Sequence, residues 1–210
     1  MKSWSILDSD SRRMQRVVDI SERIFVVLLA IPFLAAFVKV LPAHPTAVLV
    51  CISEMLGVIF IVIRKSAPIR IGSVAVLSAF CGTALPLLVR PGGAQLVPAI
   101  VTTALMLFGL ALSIASKIYL NRSFGLIAAN RGVKTSGPYR FVRHPMYLGY
   151  MVTQLGFLIF SFSVLTLGIY LIAWSFQIVR VHQEESVLRA DPRYRDFSTR
   201  VPTRLIPGVY

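Results

Sequence analysis

Residues 136–149 combine a turn, two arginines, a histidine and a helix start, which together could bind an anion. The first four residues, Ser-Gly-Pro-Tyr, predict a turn, and Pro145 can occupy the first position of a helix without losing a hydrogen bond. The free N–H groups and the positive end of such a helix favour a negatively charged group. His144 and Tyr147 add polar donors to the same first turn.

A second set of charged residues lies further along the chain, in what we expect to be the extension of the last membrane helix. Arg180 and Glu184 are four residues apart and therefore share one face of that helix. Glu185 points about 100° away, as an immediate neighbour on an α-helix does. If the fold brings residues 136–149 next to this set, a cation and an anion would lie beside a helix N-terminus.

Each set also has an ordinary structural interpretation, which the sequence leaves open. Arg140 and Arg143 could touch lipid phosphates, with His144 capping the helix. Arg180 and Glu184 could form a simple salt bridge between residues i and i+4.

The composition indicates the kind of protein that holds these residues in place. Hydrophobic residues make up 56% of the 210 residues and charged residues only 15%, and the mean hydropathy is +0.73. These values are typical of an integral membrane protein and not of a soluble domain. We expect one membrane domain over residues 1–210, with its chemistry on the helix bundle and the loops.

Apolar segments long enough to cross about 30 Å of hydrocarbon predict four membrane spans. The predicted spans are Ile24–Leu41, Thr46–Ile63, Gly72–Val89 and Leu96–Leu120. They follow a basic N-terminal leader over residues 1–23 and precede a polar loop over residues 121–146.

The apolar segment 147–181 is too long for one crossing and short for two, and residues 161–163 interrupt it weakly. A helical hairpin is the interpretation that fits best, so the chain would return to the side that it left. The predicted fold is therefore all-α: a polytopic transmembrane bundle of four spans plus a C-terminal hairpin, with five to six membrane helices. The tail, residues 182–210, would then complete the site begun by the loop.

The distribution of basic residues predicts the orientation, because short cytoplasmic loops collect Lys and Arg. Cytoplasmic N- and C-termini place almost all of the basic residues inside and leave only Lys39 and Arg90 outside. Topology and attraction to anionic lipid headgroups account for the net charge of +13, so we expect no nucleic-acid partner. We expect a multi-pass protein, in the inner membrane if bacterial, whose site faces the cytosol.

Polar residues within the predicted spans are few. We expect Cys51 and Cys81 to pack as small apolar residues, and we expect neither a disulfide nor a metal pair. Glu54 lies near the middle of the second span, where an isolated carboxylate is costly. It is either a neutral, hydrogen-bonded structural residue or part of a cavity wall.

The loop and the tail resemble the isoprenylcysteine carboxyl methyltransferase family and its phospholipid-methyltransferase relatives. The matching segments, in order, are residues 135–139 (TSGPY), 143–149 (RHPMYLG), 184–188 (EESVL), Tyr194 and 201–207 (VPTRLIP). The resemblance covers roughly the C-terminal half, and the ordered combination is far more specific than any single segment. The first spans contribute only a compatible topology.

The resemblance implies a membrane methyltransferase that binds S-adenosylmethionine in a cytosolic pocket and receives a lipophilic acceptor from the bilayer. By match of motif, the cofactor contacts would be Val133, Lys134, Tyr139, His144, Pro145, Met146, Tyr147 and Glu184, and Arg180 would hold the acceptor carboxylate as the catalytic and substrate-binding residue. The sequence departs from the family pattern in two places. Phe197 stands where a second tail Tyr is usual, and an upstream polar contact has no counterpart near residues 124–130.

The charges of the cofactor and of the acceptor suit these residue types. Glu184 could bind the amino group of S-adenosylmethionine, while the helix start and His144 bind its carboxylate. A carboxylate acceptor needs no general base at pH 7, and Arg180 would orient it through a bidentate contact. An amine acceptor would have to lose a proton, for which a nearby Arg is a poor host, so Arg180 favours carboxyl O-methylation over phospholipid N-methylation.

Other functions remain open on the sequence alone. Membrane sterol-type reductases, which use NADPH, also resemble this chain in an Arg-His-Pro element and in its closing residues, 201–210. A lipid-binding or structural membrane protein is a further alternative. The histidines and glutamates at 144, 182, 184 and 185 have no compact ligand spacing, so we expect no metal site.

Overall fold

The computed structural model describes residues 9–63, 73–120, 133–206 and 208, and these residues form a helical bundle. The helices are α1 (Ser9–Val38), α2 (Val48–Ile63), α3 (Ser73–Ala84), α4 (Ala99–Leu120), α5 (Pro145–Phe160), α6 (Val164–Leu188) and α7 (Pro192–Arg200). Short 3₁₀ turns cover Pro45–Ala47, Leu85–Leu88 and Gly137–Arg140. Extended pairing in the described part of the chain is limited to an isolated bridge between Ala94 and Phe162. The all-α prediction is confirmed.

Within the part of the chain that the structure describes, four helical segments are long and apolar enough to cross a membrane. They are Asp19–Val38, Pro45–Ile63, Ala99–Leu120 and Val164–Leu188. Many of their large apolar side chains face outward, as Ile100 and Val164 do with 76% and 77% of their surfaces exposed. A bundle that is apolar outside as well as inside suits a hydrocarbon environment, and the protein is an integral membrane protein.

The third predicted span is shorter than expected. Instead of one helix over Gly72–Val89, the structure forms α3 with 12 residues and then a 3₁₀ turn over Leu85–Leu88. Pro86 lies in this turn, and proline has no N–H with which to continue an α-helix. The number of crossings and the orientation of the termini stay predictions.

The hairpin after the loop is confirmed, with its break at the predicted place. Helix α5 ends at Phe160, and Ser163 caps α6 by accepting a hydrogen bond from the Thr166 N–H at 3.0 Å. Ser161 Oγ accepts from the N–H groups of Gly92 and Gly93 at 3.1 and 2.9 Å, which fixes the hairpin turn to the α3–α4 connection. We call this end of the bundle the far end.

Helices α4 and α5 form the closest helix pair of the bundle. A Cβ atom on Gly149 of α5 would lie 2.7 Å from the Gly109 carbonyl oxygen and 2.7 Å from the Ser113 nitrogen of α4. Both of these are backbone atoms, which cannot rotate away. Small residues therefore allow the two backbones to touch, as is common between membrane helices, and α4 holds α5 in place.

At the opposite end of the bundle, which we call the site end, the loop before α5 meets the tail after α6. The N–H groups of Arg143 and His144 donate to the carbonyl oxygens of Thr203 and Arg204 at 3.0 and 2.9 Å. A small apolar cluster containing Tyr139 of the loop and Phe197 of α7 lies between them. The hairpin and the tail thus bring residues 40 to 60 positions apart into one place.

Candidate functional site

The loop enters the site through a tight turn that requires glycine. Gly137 has a φ of +61°, a backbone conformation that other residues rarely adopt. A Cβ atom there would also lie 2.5 Å from the ring of Tyr119. Two residues later, Tyr139 is buried and its hydroxyl lies 3.4 Å from the Ser116 carbonyl oxygen. The turn thereby seats the loop on the end of α4.

His144 precedes α5 at the N-cap position, but its side chain does not cap the helix. Its imidazole lies between two carboxylates, with Nδ1 3.8 Å from Glu184 Oε2 and Nε2 3.4 Å from Glu185 Oε1. Arg143 is also buried and places Nε 3.1 Å from Glu185 Oε1. The purely structural interpretation, with a capping His144 and an Arg143 on lipid phosphates, is therefore wrong for these two residues.

Glu185 is a highly connected charged residue of the site, although the sequence does not predict a role for it. Only 2% of its surface is exposed. Besides Arg143 and His144, its carboxylate lies 3.0 Å from Arg204 Nε and 3.3 Å from the Tyr194 hydroxyl. A buried carboxylate needs such partners, and the arginines of the matching loop and tail segments were the available signal. Glu185 joins loop, helix and tail.

Glu184, by contrast, is partly exposed and faces α5. The Tyr147 hydroxyl donates a hydrogen bond to Glu184 Oε1, and Arg180 Nε lies 3.4 Å from the same oxygen. The Arg180 guanidinium also stacks over the Tyr147 ring, 5.2 Å from its centroid. The simple salt bridge of Arg180 and Glu184 is thus formed, and in addition the two predicted halves of the site touch through Tyr147.

Two tyrosines at the site end, Tyr139 and Tyr194, keep their protons at neutral pH. Burial, together with the charge of Glu184, raises the pKa of Tyr139 above its usual value. Burial and the neighbouring Glu185 raise the pKa of Tyr194 in the same direction. Both phenols are therefore hydrogen-bond donors under physiological conditions.

A cavity of about 500 Å³, which we call the loop cavity, lies between the loop, the end of α6 and the tail. It is lined by Leu120, Val133, Lys134, Tyr139, Arg143, His144, Met146, Tyr147, Glu184, Leu188, Tyr194 and Phe197. All the predicted cofactor contacts are among these residues except Pro145, which begins α5 beside them. The family pattern has an upstream polar cofactor contact near residues 124–130, and these residues lie outside the described residues.

A second cavity of about 450 Å³, which we call the bundle cavity, lies among the membrane helices. It is lined by Glu54, Gly57, Val58, Ile61, Gly82, Thr83, Leu87, Tyr147, Tyr150, Gln154, Gln177 and Arg180. Arg180, predicted to hold the acceptor, lines this cavity and not the loop cavity. Tyr147 lines both, so it forms part of the wall between them.

Glu54 is hydrogen-bonded and also lines a cavity. Its side chain accepts a hydrogen bond from Gln154 Nε2 at 2.9 Å and also contributes to the wall of the bundle cavity. The sequence does not predict the roles of Gln154, Gln177 and Tyr150, because a polar residue on an apolar helix carries no signal of which neighbour it faces.

Comparison with known proteins identifies one family. Residues 96–190 match the isoprenylcysteine carboxyl methyltransferase (ICMT) family. The matched region contains α4, the loop, α5 and α6, and therefore all the predicted site residues from Val133 to Glu184. No curated protein matches the chain. The family domain supports a membrane methyltransferase.

Proposed function

We propose that the protein transfers a methyl group from S-adenosylmethionine to the carboxylate of a lipophilic, isoprenylcysteine-like acceptor, because residues 96–190 match the isoprenylcysteine carboxyl methyltransferase family. The observation that carries this proposal is the pair of cavities that meet at Tyr147. One is lined by the predicted cofactor residues, and the other lies among apolar helices with Arg180 in its wall.

The loop cavity has the chemistry that S-adenosylmethionine requires. Glu184 provides a carboxylate for the amino group, and the first turn of α5 provides N–H groups without intrahelical partners for the carboxylate. When bound, this cofactor supplies an electrophilic methyl group on a sulfonium centre.

Arg180 is suited to hold the acceptor carboxylate at the boundary of the two cavities. It is 5% exposed, and Glu184 and the Tyr147 ring fix its guanidinium. A carboxylate in a cavity among membrane helices needs such a partner, and positioning then supplies most of the rate enhancement. A protonated amine would be repelled by the same cation, so carboxyl O-methylation is favoured over phospholipid N-methylation.

The acceptor would reach Arg180 from the bilayer, and the site end would face the cytosol beside anionic headgroups. Arg140 and Phe141 at the site end support this arrangement. Both side chains are exposed, with the guanidinium 5.2 Å from the ring centroid, a combination that suits a membrane interface.

Calorimetry on detergent-purified protein separates the candidate cofactors. We expect S-adenosylhomocysteine, the product form of the cofactor, to bind, and NADPH not to bind, because the loop cavity pairs a carboxylate with a helix start. Binding of NADPH alone would instead favour the sterol-type reductase and overturn the proposal.

Arg180→Ala tests the acceptor site. We expect this variant to bind S-adenosylhomocysteine with little change but to lose at least about 100-fold in methyl transfer to a lipophilic acid, the cost of leaving a buried carboxylate unpaired. The exposed Arg195→Ala in α7 is the matched control. Radiolabelled product that is released by base would indicate a methyl ester, whereas base-stable label in the lipid fraction would indicate N-methylation.

A further inference from the structure

The bundle cavity has three chemically different parts. Val58, Ile61 and Leu87 provide an apolar wall, and Arg180 provides a cation. Gln177 and Glu54 add hydrogen-bonding oxygens. A plain hydrocarbon chain with one carboxylate would use the first two parts and leave the third without a function.

Gln177 is the residue that most clearly points to a ligand. It is 5% exposed, and its Oε1 atom is buried with no hydrogen-bond partner among the described residues. Leaving such a buried acceptor unsatisfied destabilises the protein. An N–H or O–H group of a molecule in the cavity would satisfy that acceptor.

The facing wall is held in a fixed orientation by a chain of hydrogen bonds. Trp174 Nε1 donates to Gln154 Oε1 at 2.8 Å, and Gln154 Nε2 donates to Glu54 Oε1 at 2.9 Å. The Gln154 amide is thus committed on both sides, and the Glu54 carboxyl is positioned by it. Polar oxygens therefore line the cavity from both α2 and α6.

The position of Gln177 relative to Arg180 sets the distance that a ligand must span. The two residues are three apart on α6, which corresponds to about 4.5 Å along the helix axis and neighbouring directions around it. A group bound by Gln177 would therefore lie a few bonds from a carboxylate bound by Arg180.

We propose that Gln177 accepts a hydrogen bond from an N–H or O–H donor within a few bonds of the acceptor carboxylate, so that acids with such a donor bind more tightly than otherwise equal acids without one. This inference rests on the proposed function, since it assumes that Arg180 holds the carboxylate.

The test compares two acids that differ only in having an amide N–H or an ester oxygen at one position. N-dodecanoylglycine has an N–H beside the carboxymethyl group, and O-dodecanoylglycolate has an ester oxygen there. Equilibrium binding is measured on nanodisc-embedded protein loaded with S-adenosylhomocysteine, with empty nanodiscs correcting for partition into lipid. We expect the amide to bind about tenfold more tightly, as one hydrogen bond to a buried acceptor implies.

Gln177→Met keeps the size of the side chain but removes the amide, and we expect it to bring the ratio of the two dissociation constants close to one. Gln95→Met, the same change at an exposed position, should keep the tenfold ratio. Equal binding of both acids by the unaltered protein, a measurement that needs no variant to fold, would overturn the inference. An unchanged ratio in Gln177→Met would do the same.

Methyl transfer, measured separately, tests the proposed function. Discrimination in binding without transfer to either acid would support the Gln177 site and overturn the proposed carboxyl O-methylation. Transfer to both acids without discrimination would support the methyltransferase and overturn only the role of Gln177.

Discussion

At the scale of single residues, the two adjacent glutamates at the end of α6 have different surroundings. Glu185 is buried among cations of the loop and the tail, whereas Glu184 faces the loop cavity beside Tyr147 and Arg180. An α-helix turns neighbouring side chains about 100° apart, so one glutamate can join three chain segments while the other remains available to a ligand.

This division predicts opposite results for two identical substitutions. Glu184→Gln removes the charge from the cavity wall, and we expect the dissociation constant of S-adenosylhomocysteine to rise by about 10- to 100-fold because a charge-assisted hydrogen bond is lost. Glu185→Gln leaves Arg143 buried without its counter-charge, and we expect a loss of about 3 kcal/mol in unfolding free energy. Calorimetry measures the first effect and thermal unfolding in detergent the second.

Asp196→Asn is the matched control for both variants, because this α7 carboxylate is exposed. It should change neither the dissociation constant nor the unfolding temperature. If Glu185→Gln unfolded at the temperature of the unaltered protein, Glu185 would not hold the site together.

At the scale of helices, the direct backbone contact between α4 and α5 positions the start of α5, where the site residues begin. Gly149 lies one turn after Pro145, so a displacement at Gly149 also moves His144 and Tyr147. The shape of the loop cavity thus depends on a contact between two glycine-containing helices.

Gly149→Ala tests this dependence. The added Cβ atom would meet two backbone atoms at 2.7 Å, and we expect the variant to lose about 1–3 kcal/mol of stability through overpacking. Thermal unfolding measures the loss. Gly168→Ala in α6 is the control, since a Cβ atom there has no neighbour within 4 Å. Equal unfolding temperatures for the two variants would contradict a close α4–α5 contact.

The sequence predicted the hairpin and its break well, because Ser161 and Ser163 interrupt an otherwise apolar segment. It predicted the third span less well, since hydropathy does not register the effect of Pro86 on helix geometry. Most of the loop cavity was predicted through motif resemblance. The central role of Glu185 and the polar wall of the bundle cavity were not, because they depend on which helix faces which, and that is decided by packing.

At the scale of the whole molecule, the two ends of the bundle differ in charge. Arg143, Arg180, Glu184 and Glu185 meet at the site end, where the tail adds further arginines. Arg90 lies at the far end, one residue from the Pro91–Gly93 segment that binds Ser161. The excess of cations at the site end supports a cytosolic orientation of that end, as the distribution in the sequence predicts.

One cysteine introduced at either end of the bundle tests the orientation of the protein in the membrane. We expect a membrane-impermeant maleimide to label Thr199→Cys in α7 from the cytosolic side only, and Gln95→Cys from the opposite side only. Both positions are exposed. The unaltered protein gives the background from Cys51 and Cys81, of which the first is buried and the second partly so. The reverse pattern would invert the proposed topology.

The shared wall at Tyr147 has a thermodynamic consequence. One side chain borders both cavities, and Glu184 and Arg180 hold it in its position. A ligand that binds in one cavity can fix or displace the Tyr147 ring. The ligand of the other cavity then binds against a ring whose position has already been set. The two affinities are then linked, and each ligand changes the affinity of the other by the same factor. A tyrosine between two cavities is thus a point of reciprocal coupling between donor and acceptor.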